Sequence, residues 1–293
     1  MKFRRLALIG CGLMGGSFAL ALRQAGMVAQ VAGFSASEGT RQKALKLGVI
    51  DLACSSAAEA VQGADLVLVA VPVRATEDTL RAIDPVLSAN ALVMDVGSTK
   101  GDVVAAARAA LQLHLTNFVP AHPIAGKEVA GIEHADAALY RERQVILTPL
   151  PENPTERVLQ AHQVWQALGS RVLELSPEAH DASFAAVSHL PHLAAFALVN
   201  AVARQPHGAQ HLAMAGPGFR DFSRIAASDP SVWRDILLAN RDEVLHQCAL
   251  MREALHEFER AMQAGDAEHL QALITEASQT RSRWRLGGAD SDV

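Results

Sequence analysis

Near its amino terminus the chain runs from the aliphatic stretch Leu6-Ala7-Leu8-Ile9 straight into Gly10-Cys11-Gly12-Leu13-Met14-Gly15-Gly16, and from there into Ser17–Gln24, which has helical composition. A strand that ends in glycines and resumes at once as a helix narrows the choice of fold more than any other feature. It reads as the first βα unit of an open parallel sheet, in which Gly10 permits the tight turn and Gly15 lets the helix lie close on the strand. Gly12 leaves the backbone open to a ligand. The first N–H groups of such a helix have no partners within it, and together with the helix dipole they attract phosphate. Gly10, Gly12, Leu13, Met14 and Gly15 are therefore candidate contacts for a dinucleotide pyrophosphate. A glycine-rich turn without a ligand is the competing reading, and the flanking strand and helix weigh against it.

The βα pattern continues. Aliphatic runs at Leu6–Ile9, Gln30–Phe34, Leu66–Val71, Leu92–Val96, Phe118–Val119, Val145–Leu147 and Val172–Leu175 read as strands. Ser17–Gln24, Thr40–Leu47, Ala75–Ile83 and Lys100–Leu111 read as the helices between them. Alternation of this kind predicts a mostly parallel Rossmann-type sheet, and strands that are apolar throughout predict that both faces are covered. After Ser176-Pro177 the strand signals stop, and alanine-rich helical segments run over Glu178–Arg204, Val232–Ala264 and Ala267–Arg285. The 293 residues exceed one ordinary core, so the expectation is an α/β domain over 1–175 and an all-helical domain over 176–293.

A formal charge of −5, with basic residues scattered, gives no general attraction for a polyanion, so nucleic acid is not an expected partner. Cys11, Cys54 and Cys248 are odd in number and widely spaced, which points to a reducing cytoplasm rather than a disulfide framework. Lys2, Arg4 and Arg5 ahead of Leu6–Ile9 imitate a secretion signal, but four apolar residues fall short of the roughly 7–15 a signal core needs. No uninterrupted apolar run reaches the roughly 18 residues of a membrane span, so no membrane association is expected.

In this fold the second strand usually ends in an acid that binds the adenosine ribose. Here Phe34 is followed by Ser35-Ala36-Ser37. With no carboxylate to repel a 2′-phosphate, and with Ser35, Ser37, Thr40 and Arg41 able to contact one, NADP is slightly favoured over NAD. Glu38 is the alternative ribose contact. Val71, ending its strand at the same sheet edge, joins the candidate cofactor contacts.

Two further strand ends carry polar groups, Asp95-Val96-Gly97-Ser98-Thr99-Lys100-Gly101 and His122-Pro123-Ile124-Ala125-Gly126-Lys127-Glu128. The carboxyl ends of parallel strands border the ligand crevice, so Ser98 and His122 should face the reacting end of the cofactor. Proline after His122 keeps that backbone extended and carries the imidazole outward. Ser98 could equally cap the helix that follows. Lys127 and Glu128 tune His122, secure the loop or are simply solvated. A third segment, Gly218-Phe219-Arg220-Asp221-Phe222-Ser223-Arg224, offers Arg224 as a planar fork for a carboxylate, with an Asp221–Arg224 ion pair as the bland alternative. Arg220 is a weaker candidate. His189 and His192 have the spacing of a metal pair, but no third ligand has convincing spacing, so no metal is expected.

Taken together, the glycine turn, DVGSTKG at 95–101, HPIAGKE at 122–128, SHLPH at 188–192 and GFRDFSRIAASDPSVW at 218–233 resemble the prephenate and arogenate dehydrogenases. The likeness spans nearly the whole chain. It implies hydride transfer from C4 of a cyclohexadienol to NAD(P) with loss of carbon dioxide, in tyrosine biosynthesis. It also implies a homodimer formed through the helical domain, and His189 and His192 bordering the substrate. His122 suits such a reaction because neutral imidazole can accept the hydroxyl proton, while Ser98 orients the hydroxyl and Arg224 holds a carboxylate. The length leaves no room for a fused chorismate mutase or separate regulatory domain. The rivals are another Rossmann-plus-helical dehydrogenase and a nucleotide-sensing protein without catalysis. The first class that uses 3-hydroxy acids needs a lysine in its helical part, and residues 176–293 contain none.

Overall fold

The structure is a computed structural model that describes residues 2–127 and 129–285. Glu128 therefore lies outside the described residues. The chain packs as two compact units, 1–240 and 241–293.

In the first unit a six-stranded parallel sheet has the order β3-β2-β1-β4-β5-β6, built from β1 (Phe3–Ile9), β2 (Val28–Phe34), β3 (Leu52–Ala53), β4 (Leu66–Val69), β5 (Leu92–Asp95) and β6 (Phe118–Val119). The order reverses between β1 and β4, which opens a crevice at their carboxyl ends. Alternate residues of each strand enter opposite cores. Leu6 and Leu8 of β1, with Leu66 and Leu68 of β4, pack on one face, while Ala7, Ile9, Val67 and Val69 pack on the other. This is why these strands read as unbroken apolar runs. Helices α1 (Leu13–Gln24), α2 (Glu38–Lys46), α3 (Ala57–Val61), α4 (Thr76–Ile83) and α5 (Gly101–Ala110) connect them. On one face Phe18, Tyr140 and Trp165 form an aromatic cluster with centroids 5.0–6.5 Å apart.

The sheet that the sequence implied as continuous is in fact two. Pro120 ends β6, and the chain re-enters as β7 (Ala121–Pro123), antiparallel to β8 (Gln144–Leu147), which pairs in parallel with β9 (Arg171–Glu174). His122 thus sits inside a strand, opposite Ile146, and not on the loop expected after one. A three-residue strand ending in proline carries too little pattern to be read.

Helix α6 (Thr155–Ala167) precedes β9, and the helical part follows. The stretch expected as one helix from 178 is α7 (Pro177–Phe184), a π-helical turn over Ala185–His189, and α8 (Leu190–Ala203). Pro191 has no N–H for the carbonyl of Val187, so the ordinary ladder fails there. By length and composition Pro177–Ala203 is apolar enough to pass as a membrane span, where the sequence reading saw none, and little of it is buried. It also carries His180, Asp181 and His189, all buried, of which His180 and Asp181 meet His122, Lys100 and Gly101 of the α/β part. Then come α9 (Gly208–Ala213), α10 (Pro217–Ser223), a 3-10 turn over Arg224–Ala227, and α11 (Pro230–Ala239). The second unit is a helical pair, α12 (Arg241–Ala264) and α13 (Ala267–Arg283), turned at Gly265. The single helix expected over 232–264 is broken at Asn240, whose side chain is used elsewhere.

Candidate active site

The glycine turn has the predicted geometry. Gly10 has φ +101°, and a Cβ there would lie 2.1 Å from the Ala70 carbonyl oxygen. At Gly15 a Cβ would lie 2.3 Å from the Gly10 carbonyl and 2.8 Å from the Leu8 side chain, so glycine sets how closely α1 approaches β1. Gly12 is the N-cap of α1, makes no side-chain cap, and faces open space. Leu13 sends its side chain into the core, and Met14 is held through its carbonyl by the Tyr140 hydroxyl at 2.7 Å. Any contribution of these two to a ligand comes from their backbone N–H groups at the helix start.

From this turn a cavity of about 790 Å³ runs along the sheet edge, lined by Gly10, Gly12, Ser35, Ser37, Val71 and Pro72 among others. The open cradle at Gly12, the uncapped helix start and this volume fit a dinucleotide. Arg41 curls back over Phe34, 5.8 Å from its ring centroid, and donates to the Ser35 carbonyl at 2.5 Å. Ser37 caps α2 by accepting from the Thr40 N–H at 3.3 Å. Glu38 is exposed and does not line the cavity. Among the described lining residues the only acid is Glu133, which is paired with Lys43 at 2.8 Å. Lys43 is a second cation at this end that sequence reasoning passed over.

A second set of groups meets where β5, β7 and α7 converge. Lys100, fully buried, places its ammonium 2.5 Å from Asp95 Oδ2 and 2.9 Å from the Ala121 carbonyl, while the Ala121 N–H donates to Asp95 Oδ1 at 2.9 Å. This clasp fixes the segment after β5 against the strand that carries His122. Helix α5 begins at Gly101, and its cap comes from far along the chain: Asp181 accepts from the Lys100 N–H and the Gly101 N–H, both at 2.8 Å. Ser98 is therefore not the cap; it is half-buried on the turn between clasp and helix.

His122 is partly buried, its ring 4.8 Å from that of Phe184, and its Nδ1 lies 2.8 Å from His180 Nε2. His180 Nδ1 in turn lies 2.7 Å from Asp181 Oδ1. Burial, reinforced by His180, Lys100 and His189, pushes the His122 pKa well below its usual value, so the ring is neutral over a wide range. Burial lowers His180 as well, against the opposing pull of Asp181. Asp181 is raised by burial but lowered further by hydrogen bonds from His180, Gly101 and Lys100, and it ends below the ordinary carboxylate range.

His189 is 1% exposed, and burial takes its pKa to about 4. Asn240 Nδ2 lies 3.1 Å from His189 Nδ1 and 2.8 Å from the Asp181 carbonyl, which joins α7, the π-turn and the end of α11. His192 lies 2.9 Å from the Ser188 carbonyl through Nδ1 and stacks on Trp233, centroids 3.5 Å apart. Arg220 is exposed and pairs with Asp221 at 2.9 Å, and Arg224 is exposed on the turn that packs against α8. Lys127 holds Asp136 at 3.0 Å and secures its loop. The structure thus brings His122 and His189 into one network. It adds His180, Asp181, Asn240, Asp95 and Lys100, which sequence reasoning did not assign. Adjacency of His180-Asp181 to the 188–192 histidines was the one available signal.

A parallel sheet with this crossover, an open glycine turn and buried imidazoles where β5, β7 and α7 converge define a nicotinamide-dependent oxidoreductase of the Rossmann-plus-helical class. Residues 18–174 match the nucleotide-binding domain of prephenate dehydrogenase, and residues 176–276 match its dimerization domain. The cyclohexadienyl dehydrogenase of Zymomonas mobilis is 33% identical over 281 residues, with 95% of each chain covered. The prephenate dehydrogenase of Bacillus subtilis is 35% identical, covering 90% of this chain and 72% of its own. The crystal structure of Aquifex aeolicus prephenate dehydrogenase in complex with hydroxyphenyl propionate and NAD+ superposes with a TM-score of 0.90 at 34% identity, covering 96% of this chain and 98% of that one. The chain belongs to the prephenate dehydrogenase family.

Proposed function

We propose that the protein oxidises prephenate, arogenate or both, transferring hydride from C4 of the cyclohexadienol ring to a nicotinamide as carbon dioxide leaves and the ring becomes aromatic, a step of tyrosine biosynthesis. The observation that carries this reading is the His122 imidazole, on a short strand next to the dinucleotide-binding sheet and backed by a hydrogen-bond chain through His180 to Asp181. The bound nicotinamide supplies the hydride acceptor. His122 accepts the proton of the 4-hydroxyl as hydride departs, and Ser98, on the turn beside the clasp, orients that hydroxyl. Arg224, with Arg220 as a lesser contributor, partners substrate carboxylate. Asn240 donates to His189 Nδ1, which leaves His189 an Nε2–H to offer a substrate oxygen. His192 donates through Nδ1 to Ser188 and is held flat on Trp233 at the same end of α8.

Helices from residue 176 onward form the substrate and dimerisation part, and the apolar, little-buried surface of Pro177–Ala203 suits a second copy of the chain. The three cysteines are free, in keeping with a reducing cytoplasm. NADP is used at least as efficiently as NAD, because no unpaired acid lines the ribose end of the cavity.

The test is reduction of NAD and NADP followed with prephenate and with L-arogenate, alongside carbon dioxide release. Turnover of at least one substrate is expected. No reduction with either, by folded protein that still binds cofactor, overturns the reading.

A further inference from the structure

The hydrogen-bond chain behind His122 has a direction, and backbone geometry sets it. Asp181 receives the N–H groups of Lys100 and Gly101 at 2.8 Å each, and backbone amides can only donate. Its carboxylate is thereby held as an acceptor, and His180 Nδ1, 2.7 Å away, must carry a hydrogen. A neutral His180 has one N–H, so its Nε2 presents a lone pair. His122 Nδ1, 2.8 Å from that lone pair, is then the donor, which leaves the lone pair of His122 on Nε2. The reverse order would need a protonated Asp181 or a His180 cation, and burial at this depth opposes the cation.

We propose that Asp181 and His180 are positioning residues: they hold His122 as the Nδ1–H tautomer, with Nε2 free for the reacting hydroxyl, and they share the positive charge that His122 acquires. The proposal rests on the reading of His122 as proton acceptor. The proton balance is closed. The hydroxyl proton arrives on His122 Nε2, the Nδ1 proton of His122 moves to His180 Nε2, and His180 keeps its Nδ1–H on Asp181. The charge then lies beside a carboxylate and away from the developing cation at the nicotinamide-facing ring. The groups that face this pair are Asp181 on α7, Lys100 and Asp95 from the β5–α5 segment, and His189 on the π-turn. The Lys100 ammonium opposes a charge on His122, which makes the Asp181 carboxylate the local compensation.

The experiment has two parts. Imidazole ¹⁵N NMR of the unmodified protein at neutral pH should show His122 protonated on Nδ1 and bare on Nε2. The opposite tautomer overturns the proposal without touching activity. His180→Phe keeps a ring against Phe184, now stacked at 4.5 Å, and removes the acceptor. It should lower kcat at least tenfold, leave cofactor KM unchanged and displace the acid limb of the kcat profile. His180→Gln, whose amide oxygen can accept from His122, should recover part of the loss. Wild-type kcat and an unmoved acid limb in His180→Phe overturn the proposal. If His122→Asn also keeps its kcat, the reading of His122 has failed as well; if His122→Asn is inactive, only the positioning chain has failed.

Discussion

The two halves of the candidate site are built in opposite ways. The glycine turn is mostly local: Gly10 takes a left-handed φ, Gly12 opens the start of α1 and Gly15 lets α1 close on β1, with one distant neighbour, the Ala70 carbonyl after β4, lying against Gly10. The imidazole centre is assembled across the chain. Asp181 caps a helix that begins 80 residues earlier, His122 meets His180 over 58 residues, and Asn240 reaches back 51 residues to His189. A turn of the first kind can be read from a motif, whereas a centre of the second kind depends on packing at every joint.

The largest expected effect separates the two halves directly. His122→Asn should lower kcat by roughly 10²–10⁴ while the cofactor dissociation constant holds, because the proton acceptor goes and the turn stays. Steady-state kinetics alongside a cofactor-binding titration measure both, and a variant with more than half the wild-type kcat would remove His122 from the mechanism.

The centre should also be the acid-sensitive half. His122, His180 and His189 all titrate below the ordinary histidine value when folded, His189 at about 4. The unfolded chain therefore binds more protons below about pH 6.5, and stability falls as pH drops from there toward 4. His189 alone contributes about 3 kcal/mol to that decline. Urea midpoints at pH 7, 5.5 and 4.5 should decrease in order, and His189→Gln should flatten the curve. A midpoint independent of pH would contradict the burial of these rings.

Within the turn, two substitutions should part company. Gly10→Ala meets the Ala70 carbonyl in a left-handed backbone and should lose both thermal stability and cofactor binding. Gly12→Ala meets no neighbour, so its Tm should match the parent while cofactor binding weakens by roughly ten- to a hundredfold. Equal binding in Gly12→Ala would place the pyrophosphate elsewhere.

The smallest effect concerns the adenosine end. Ser35→Asp should shift preference toward NAD by about 1–3 kcal/mol, as a carboxylate bonds the ribose and repels a 2′-phosphate. The ratio of kcat/KM for the two cofactors at fixed ionic strength reports it. A tenfold preference of the unmodified protein for NAD would sink the NADP reading.

What the sequence determined by itself was whatever short-range patterning carries: the alternation of strand and helix to residue 175, the apolar strands covered on both faces, the glycine turn, and the helical composition beyond. The motifs around Ser98, His122 and Arg224 were visible as unusual polar groups at strand and helix ends. Tertiary structure alone decided that the parallel sheet stops at β6 and that His122 lies in a second sheet, because one proline and three residues of strand leave no period to detect. It also decided that α5 is capped by Asp181 and not by Ser98, and that the helix expected through 232–264 breaks so that Asn240 can serve two partners. A buried carboxylate satisfies whichever donors the packing brings to it, and for Asp181 two of those donors sit at the start of α5, a neighbour only after the chain has folded.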